Sequence, residues 1–399
     1  MITELRTRFN REFTQEKYQA MINEITKTYN HRPLFSIAET PVFIPKPLKY
    51  KLFEACEDIM DVVCRPDFKK LSETALQAGQ EVPNEDDHTT FLQMDFGICK
   101  DANGELTPQL IEIQGFPTLY FYQDMMGELY KKHFNLPDNL THLFGGISPD
   151  EYVEMLRRVI VGDADPKQVV LLEVEPHRQV TQIDYWVTAA KLGIAVKCVS
   201  DLIKEGNKVF YKDENGKKIR VERIYNRVIF DELVNYEHLQ REFRFVDDAD
   251  VHWVGHPNWF FRISKHTLPL LDSQYVPKSY FLDELNDNFP DDLHNYVLKP
   301  LFSFAGTGVI VNISKYDLQT LHNSHQYILQ RKVKYEDVVE TLDEPAKCEV
   351  RMLMLWEKGQ ERPRIINNLV RLSKAEMIGV RYNRNKTWVG GSIGLFEKE

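Results

Sequence analysis

The sequence predicts a protein of mixed class, part α/β and part α+β, and three observations predict it. Two strand-like runs, 91–99 and 106–114, flank Asn103-Gly104, the strongest short-range hairpin signal a sequence carries. A β-branched run at 169–174, a helical stretch over 179–192, Gly193 and a second strand at 194–199 make a β–α–β unit. The stretch 296–311 reads as a strand ending in Lys299-Pro300, a loop of small residues and a second strand from Val309. At 399 residues the chain exceeds one typical core, which sets a prior of two or three domains.

Taken in order, residues 1–30 are helical and charged, with Phe9, Phe13, Tyr18, Met21 and Ile25 on one face, as a docking helix requires. The segment 38–45, punctuated by Pro41 and Pro45, reads as an extended connector. Helices resume from Leu48 to about Leu76, where Leu52, Ala55, Ile59 and Val62 keep helical spacing, and 84–88 reads as a solvated polar loop. After the 91–114 hairpin, helices are expected at 120–134 and 149–160, with a boundary at 162–166. The β–α–β unit lacks a G-x-G-x-x-G after its first strand, which argues against a dinucleotide site. Runs 208–211 and 219–224 form a hairpin around Asn215-Gly216, ending at Arg227, an arginine at a strand end where substrate anions are often held, although a surface arginine is the commoner reading. A helix is expected over 231–243. His252 and His256 have no third ligand spaced with them, so they read as packing or capping residues. Arg262 to Lys265 opens another helix, Gln330 ends a strand, and 348–355 is a strand with Glu349 and Arg351 on one face. It returns through Gly359 as 364–371, and 388–394 reads as a glycine loop.

The formal charge of −10 argues against nucleic acid or an anionic membrane surface, so a phosphate ligand must be met by local lysines and arginines. Cys56, Cys64, Cys99, Cys198 and Cys348 are scattered and form no C-x-x-C pair, which suggests reduced thiols and not a disulfide framework or a zinc site. The first residues lack the apolar core of a signal peptide and no run is long enough to span a bilayer, so the expected location is cytoplasmic.

Two stretches carry chemistry. In 296–311, Gly306 and Gly308 let backbone N–H groups approach an anion, Ser303 and Thr307 add hydroxyl donors, and Lys299 adds a charge. No helix follows, so this is neither a Walker loop nor a dinucleotide fingerprint, and an ordinary glycine-rich hairpin accounts for it equally well. In the 91–114 hairpin, a turn centred on Asn103 and Gly104 places Asp95 opposite Glu112 and Gln93 opposite Gln114, all on one face. Opposed carboxylates without a cation repel, and oxygen-rich cross-strand pairs are what Mg²⁺ needs. The alternative is a solvated strand face.

Lys265, Lys299-Pro300, Ala305-Gly-Thr-Gly-Val309, Gln330 and Glu349-x-Arg351 stand in the order of the nucleotide motifs of the ATP-grasp superfamily, which the chain resembles over roughly residues 35–399. Asp95 and Glu112-x-Gln114, resembling that family's metal ligands, lie upstream of the lysines. That order is similar to the circularly permuted branch typified by glutathionylspermidine synthase. The resemblance implies permuted metal strands and N-terminal helices in 1–164, a small Rossmann-like α/β domain in 165–261, and the nucleotide-binding part in 262–399. It implies ATP held by Lys265, Lys299, the loop Ser303, Ala305, Gly306, Thr307 and Gly308, and Gln330, Lys332 and Val333. Mg²⁺ would sit on Asp95, Glu112 and Gln114, and Arg351 or Arg227 on an acyl phosphate or substrate carboxylate. The implied function is ATP-dependent ligation of a carboxylate to an amine through an acyl phosphate. Two positions depart from the pattern. Gln114 replaces the usual asparagine, and Gln93 stands where an arginine is usual, which removes a bidentate anion clamp. These departures suit the alternatives of a non-catalytic nucleotide-binding protein or a phosphotransferase.

Overall fold

The computed structural model describes the chain except for Glu237, Phe304, Ala305, Glu376, Met377, Gly379, Val380, Arg381, Tyr382, Arg384 and Glu399. Its centre is an antiparallel sheet whose strands run, edge to edge, Gly390–Ser392, Arg364–Ser373, Ala346–Leu355, Phe91–Lys100 and Leu106–Gln114, with Asp337–Val339 also paired to Ala346–Leu355. Alternation sends Leu92, Met94, Phe96, Val350, Met352 and Val370 to one face, where Leu48, Leu52, Ala55 and Ile59 of the helix Lys46–Val63 cover them. Burial of each such side chain is worth about 1.5–3 kcal/mol. The other face receives Gln93, Asp95, Glu349, Arg351 and Arg371.

The hairpin register arises by a route the turn signal does not reveal. Asp101 N donates to Glu105 O and Lys100 pairs with Leu106, so the loop spans three residues and not two, with Gly104 at φ 80°. That slip alone would place Asp95 opposite Ile111. A bulge at Ile111 takes up the extra residue, and Asp95 pairs with Glu112 and Gln93 with Gln114.

A second sheet is parallel, ordered His252–Val254, Arg223–Asn226, Val169–Glu173, Ala195–Cys198, with the helix Gln182–Leu192 ending on Gly193 at φ 74°. The expected strand 219–224 divides. Lys218–Val221 closes a small antiparallel sheet with Lys208–Lys212, and Arg223–Asn226 enters the parallel one. The break is at Glu222, whose N–H donates to Gln168 O and whose carbonyl accepts from His252 N. A third sheet orders Ser279–Phe281, Tyr327–Arg331, Tyr296–Pro300. The second arm expected from Val309 shrinks to one bridge, Leu298 to Ile310, on one edge of Tyr296–Pro300, and Tyr327–Arg331 forms the ladder on the other edge.

Helices Tyr120–Phe134 and Pro149–Ile160 lie where periodicity places them, the latter started by a Ser148–Glu151 capping box. The N-terminal stretch divides into Thr3–Glu12 and Gln15–Tyr29 at the capping residue Thr14. Three local expectations differ from the structure. Residues 231–243 contain a short 3₁₀ segment, Phe230–Tyr236, because Phe243 and Phe245 are drawn onto Trp253. Glu85 of the loop 84–88 is drawn inward by Arg262 at 2.6 Å. The 388–394 stretch forms strands Gly390–Ser392 and Gly394–Glu397, and Gly390 is needed because a Cβ there would lie 2.2 Å from Ser36 O. Among the described residues no helix is long and apolar enough to cross a membrane.

Candidate functional site

The polar face of the central sheet is a ladder of alternating charge. Asp95 is 1% exposed and has no free oxygen. Arg351 grips it with Nε on Oδ1 and Nη2 on Oδ2 (2.6 Å), and Arg371 Nη2 adds a third bond to Oδ2 at 2.5 Å. Glu349 accepts from Arg371 on Oε1 and from the Tyr335 hydroxyl on Oε2 at 3.2 Å. Cross-strand pairing makes this possible, because Arg351 lies opposite Asp95 and Glu349 opposite Arg371. Burial raises the Asp95 carboxyl, but the two guanidinium groups overcome it and hold it below the usual carboxylate range. Glu349 is pushed up by burial, only partly offset by Arg371. Arg371 is held above the ordinary guanidinium value: burial opposes its charge, and Glu349 and Asp95 outweigh burial. Gln93, at the departure from the usual arginine, accepts from Arg351 Nη1 at 3.1 Å. Arg351, on the neighbouring strand, brings a guanidinium to that position.

Two lysines reach the hairpin edge from later parts of the chain. Lys265 begins the 3₁₀ helix Lys265–Leu270, and its Nζ lies 3.5 Å from Glu112 Oε1 and donates to Ser303 O at 2.7 Å. Lys299, in Tyr296–Pro300, donates to Ile111 O at 3.1 Å, the carbonyl that the bulge turns out of the ladder. Burial pulls the Lys299 ammonium down to about 8, against Glu112, which supports its charge, while Lys265 adds to the depression. A shallow cleft runs here between Glu112, Gln114, Phe116, Phe260, Lys265 and Ser303.

The remaining expected residues divide. Gly306 and Gly308 adopt φ 72° and 75°, Thr307 is exposed, and Ala305 lies outside the described residues. The Ser303 hydroxyl is buried with no hydrogen-bond partner, as is Nε2 of Gln330, which is 1% exposed. Val333 packs on Gly97, and Lys332 Nζ donates to His294 O at 2.7 Å. Arg227 is not a free anion receptor: it is buried, pairs with Asp184, reaches Thr118 Oγ1 at 3.4 Å, and lies over the Tyr185 ring at 4.9 Å. Asp184 in turn accepts from Leu119 N and Tyr122 N at the start of helix Tyr120–Phe134. His256 serves packing, with Nε2 on Pro83 O at 3.0 Å.

The Mg²⁺ ligand set does not fit this arrangement. Both Asp95 oxygens are occupied by arginine, Glu112 faces Lys265, and the amide of Gln114 carries no charge. Among the described residues no group of three or more His, Cys, Asp or Glu is disposed to hold a metal ion.

Arg371 and Tyr335 belong to the site and escape motif reading. Straight counting of the hairpin through Gly359, from the pair Leu355 and Arg364, would set Glu349 opposite Val370, and the register shift between Leu353 and Met354 is what brings Arg371 there. Tyr335 leaves no local signal, because it arrives from a connection outside any strand, over Gly97.

No family model and no curated protein sequence matches the chain. Among solved structures, it is similar to a glutathione synthetase-like effector from Globodera pallida in the apo form, at 10% identity and TM-score 0.56, covering 96% of this chain and 97% of that one. A chain named as a γ-glutamylcysteine synthetase from Methylobacillus flagellatus aligns at 12% identity over 88% of each chain, and its TM-score of 0.38 carries no argument. The chain therefore shares its overall fold with that glutathione synthetase-like effector.

Proposed function

We propose that this chain is an ATP-dependent carboxylate–amine ligase of the ATP-grasp type, with the metal-type hairpin placed before the nucleotide lysines. The observation that carries the reading is the convergence of Lys265 and Lys299, both buried, on Glu112 and the bulged Ile111 carbonyl of one hairpin. The Lys299 ammonium, held down by burial, is unfavourable until an anion compensates it, and the side chain of Lys265 reaches the same hairpin edge, so the pair suits phosphate. Lys265 and Lys299 hold the phosphates, the loop from Ser303 to Gly308 covers them, and Gln330, Lys332 and Val333 flank the base.

In this reading the substrate carboxylate attacks the γ-phosphorus, the bond to the β-phosphate oxygen breaks, and ADP leaves. An amine then attacks the acyl carbon, loses a proton, and phosphate departs. The protein positions the reactants and neutralises charge with its lysines and arginines, and needs no covalent nucleophile. The sequestering of Asp95 by two arginines favours a second reading, a nucleotide-binding protein without turnover.

Saturating ATP at about 100 times Kd is expected to add about 2.7 kcal/mol of stability, read as a rise in Tm. Phosphate release across a panel of carboxylates and amines, with hydroxylamine present to trap acyl phosphate as a hydroxamate, separates the two readings. A Tm rise with neither phosphate nor hydroxamate from a broad metabolite extract selects the binding protein. No Tm rise sinks both.

A further inference from the structure

Asp95 and Glu349 lie where a divalent cation would gather carboxylates, and each of their four oxygens already has a donor from the protein: Arg351 and Arg371 on Asp95, Arg371 and Tyr335 on Glu349. With Lys265 and Lys299, the face carries four cationic side chains against Asp95, Glu112 and Glu349, one positive charge in excess even with every carboxylate ionised. These groups act on one another as a single cluster, since Glu112, Glu349 and Asp95 all act on Lys299, and Glu112 acts on Arg371. A divalent ion brought here would meet guanidinium groups before it met a free carboxylate oxygen of Asp95.

The same cluster leaves donors unused. The Nε of Arg371 and the hydroxyl of Ser303, beside Lys265, are buried without hydrogen-bond partners. Gln330, 1% exposed, has Nε2 in the same condition. Fixed cations, unused donors and no available metal oxygen on Asp95 are what a site for a bare polyanion requires.

We infer that this site takes a nucleoside polyphosphate as the metal-free anion, with Lys265, Lys299 and Arg371 supplying the charge that a divalent cation would otherwise bring. The inference rests on the phosphate-binding reading above and narrows its ligand. A free polyphosphate carries more negative charge than its magnesium complex, so fixed cations favour the free form.

Titration calorimetry of the full chain with ATP, once in excess Mg²⁺ and once in EDTA, tests it. The expected result is a Kd in EDTA equal to or tighter than that in Mg²⁺. A Kd at least about tenfold weaker in EDTA overturns the inference while leaving the phosphate site intact. Absence of binding in both buffers removes the phosphate site and the inference with it. Arg371→Gln frees Oε1 of Glu349, while Asp95 Oδ2 keeps its bond from Arg351 Nη2, and the variant is expected to weaken ATP at least about tenfold in EDTA, with Mg²⁺ recovering part of the loss and Arg371→Lys most of it. An unchanged Kd for Arg371→Gln in EDTA overturns the inference. If that variant fails to fold, the wild-type comparison decides alone.

Discussion

Lys299 concentrates the conflict between stability and function. Its side chain is buried, and its pKa falls from 10.5 to about 8 because desolvation outweighs the support of Glu112. Between those values the unfolded chain holds a proton that the folded chain has released, so this group makes stability rise with pH across that window. Below about pH 8 it costs its full penalty, on the order of 3 kcal/mol. Lys299→Met is therefore expected to raise the Tm of the free protein while abolishing the shift produced by ATP. Calorimetric scans with and without ATP check both halves, and a variant that loses Tm without ligand contradicts the assignment. Because the anion needs the protonated lysine, ATP affinity should change little between about pH 7, where the terminal phosphate is ionised, and about pH 8, and fall above it.

At the level of elements, the hairpin 91–114 does more than place carboxylates. The bulge at Ile111 supplies the carbonyl that Lys299 binds, next to Leu110, whose N–H on the outer edge of the hairpin donates to Tyr275 O at 2.8 Å. Deleting Ile111 would keep Asp95 opposite Glu112 in an unbroken ladder, yet remove that acceptor. The deletion is expected to fold and to bind ATP at least about tenfold more weakly by calorimetry. Gly97 is the second element-level constraint. It lies opposite Glu349, and a Cβ there would come within 2.6 Å of Tyr335 Cε1 and 3.0 Å of Val333 Cγ1. Gly97→Ala must push the Tyr335 ring off the Glu349 carboxylate, at an expected cost of about 1–3 kcal/mol in chemical denaturation. A neutral result would mean that the connection around Tyr335 yields freely.

For the whole molecule, the decisive feature is that one sheet is assembled from two stretches far apart in the chain, 91–114 and 337–392. Strands 91–100 and 106–114 are edge material until Ala346–Leu355 pairs with them, and Arg351 and Arg371 reach Asp95 only through that pairing. Truncation after residue 345 removes Ala346–Leu355, Arg364–Ser373 and Gly390–Ser392, leaving Asp95 buried without its arginines. Loss of both partners of a buried carboxylate costs at least about 3–5 kcal/mol. The fragment is therefore expected to lack a cooperative transition, and a sharp calorimetric transition in it would show that residues 1–345 form an independent core.

Local signals in the sequence were sufficient where physics is local. Helical periodicity placed Tyr120–Phe134 and Pro149–Ile160, Gly193 marked a helix end, and period-two alternation separated Glu349 and Arg351 from Val350, Met352 and Met354. The facing of Asp95 and Glu112 was legible too, although the turn is one residue longer than Asn-Gly suggests and the Ile111 bulge cancels the slip. What residue order could not decide is which cation answers Asp95. Two carboxylates on one face call for positive charge, and a metal ion or an arginine satisfies that need equally in sequence. Only the pairing of strands far apart in the chain brings Arg351 and Arg371 within hydrogen-bonding distance, because charge compensation depends on separation in space.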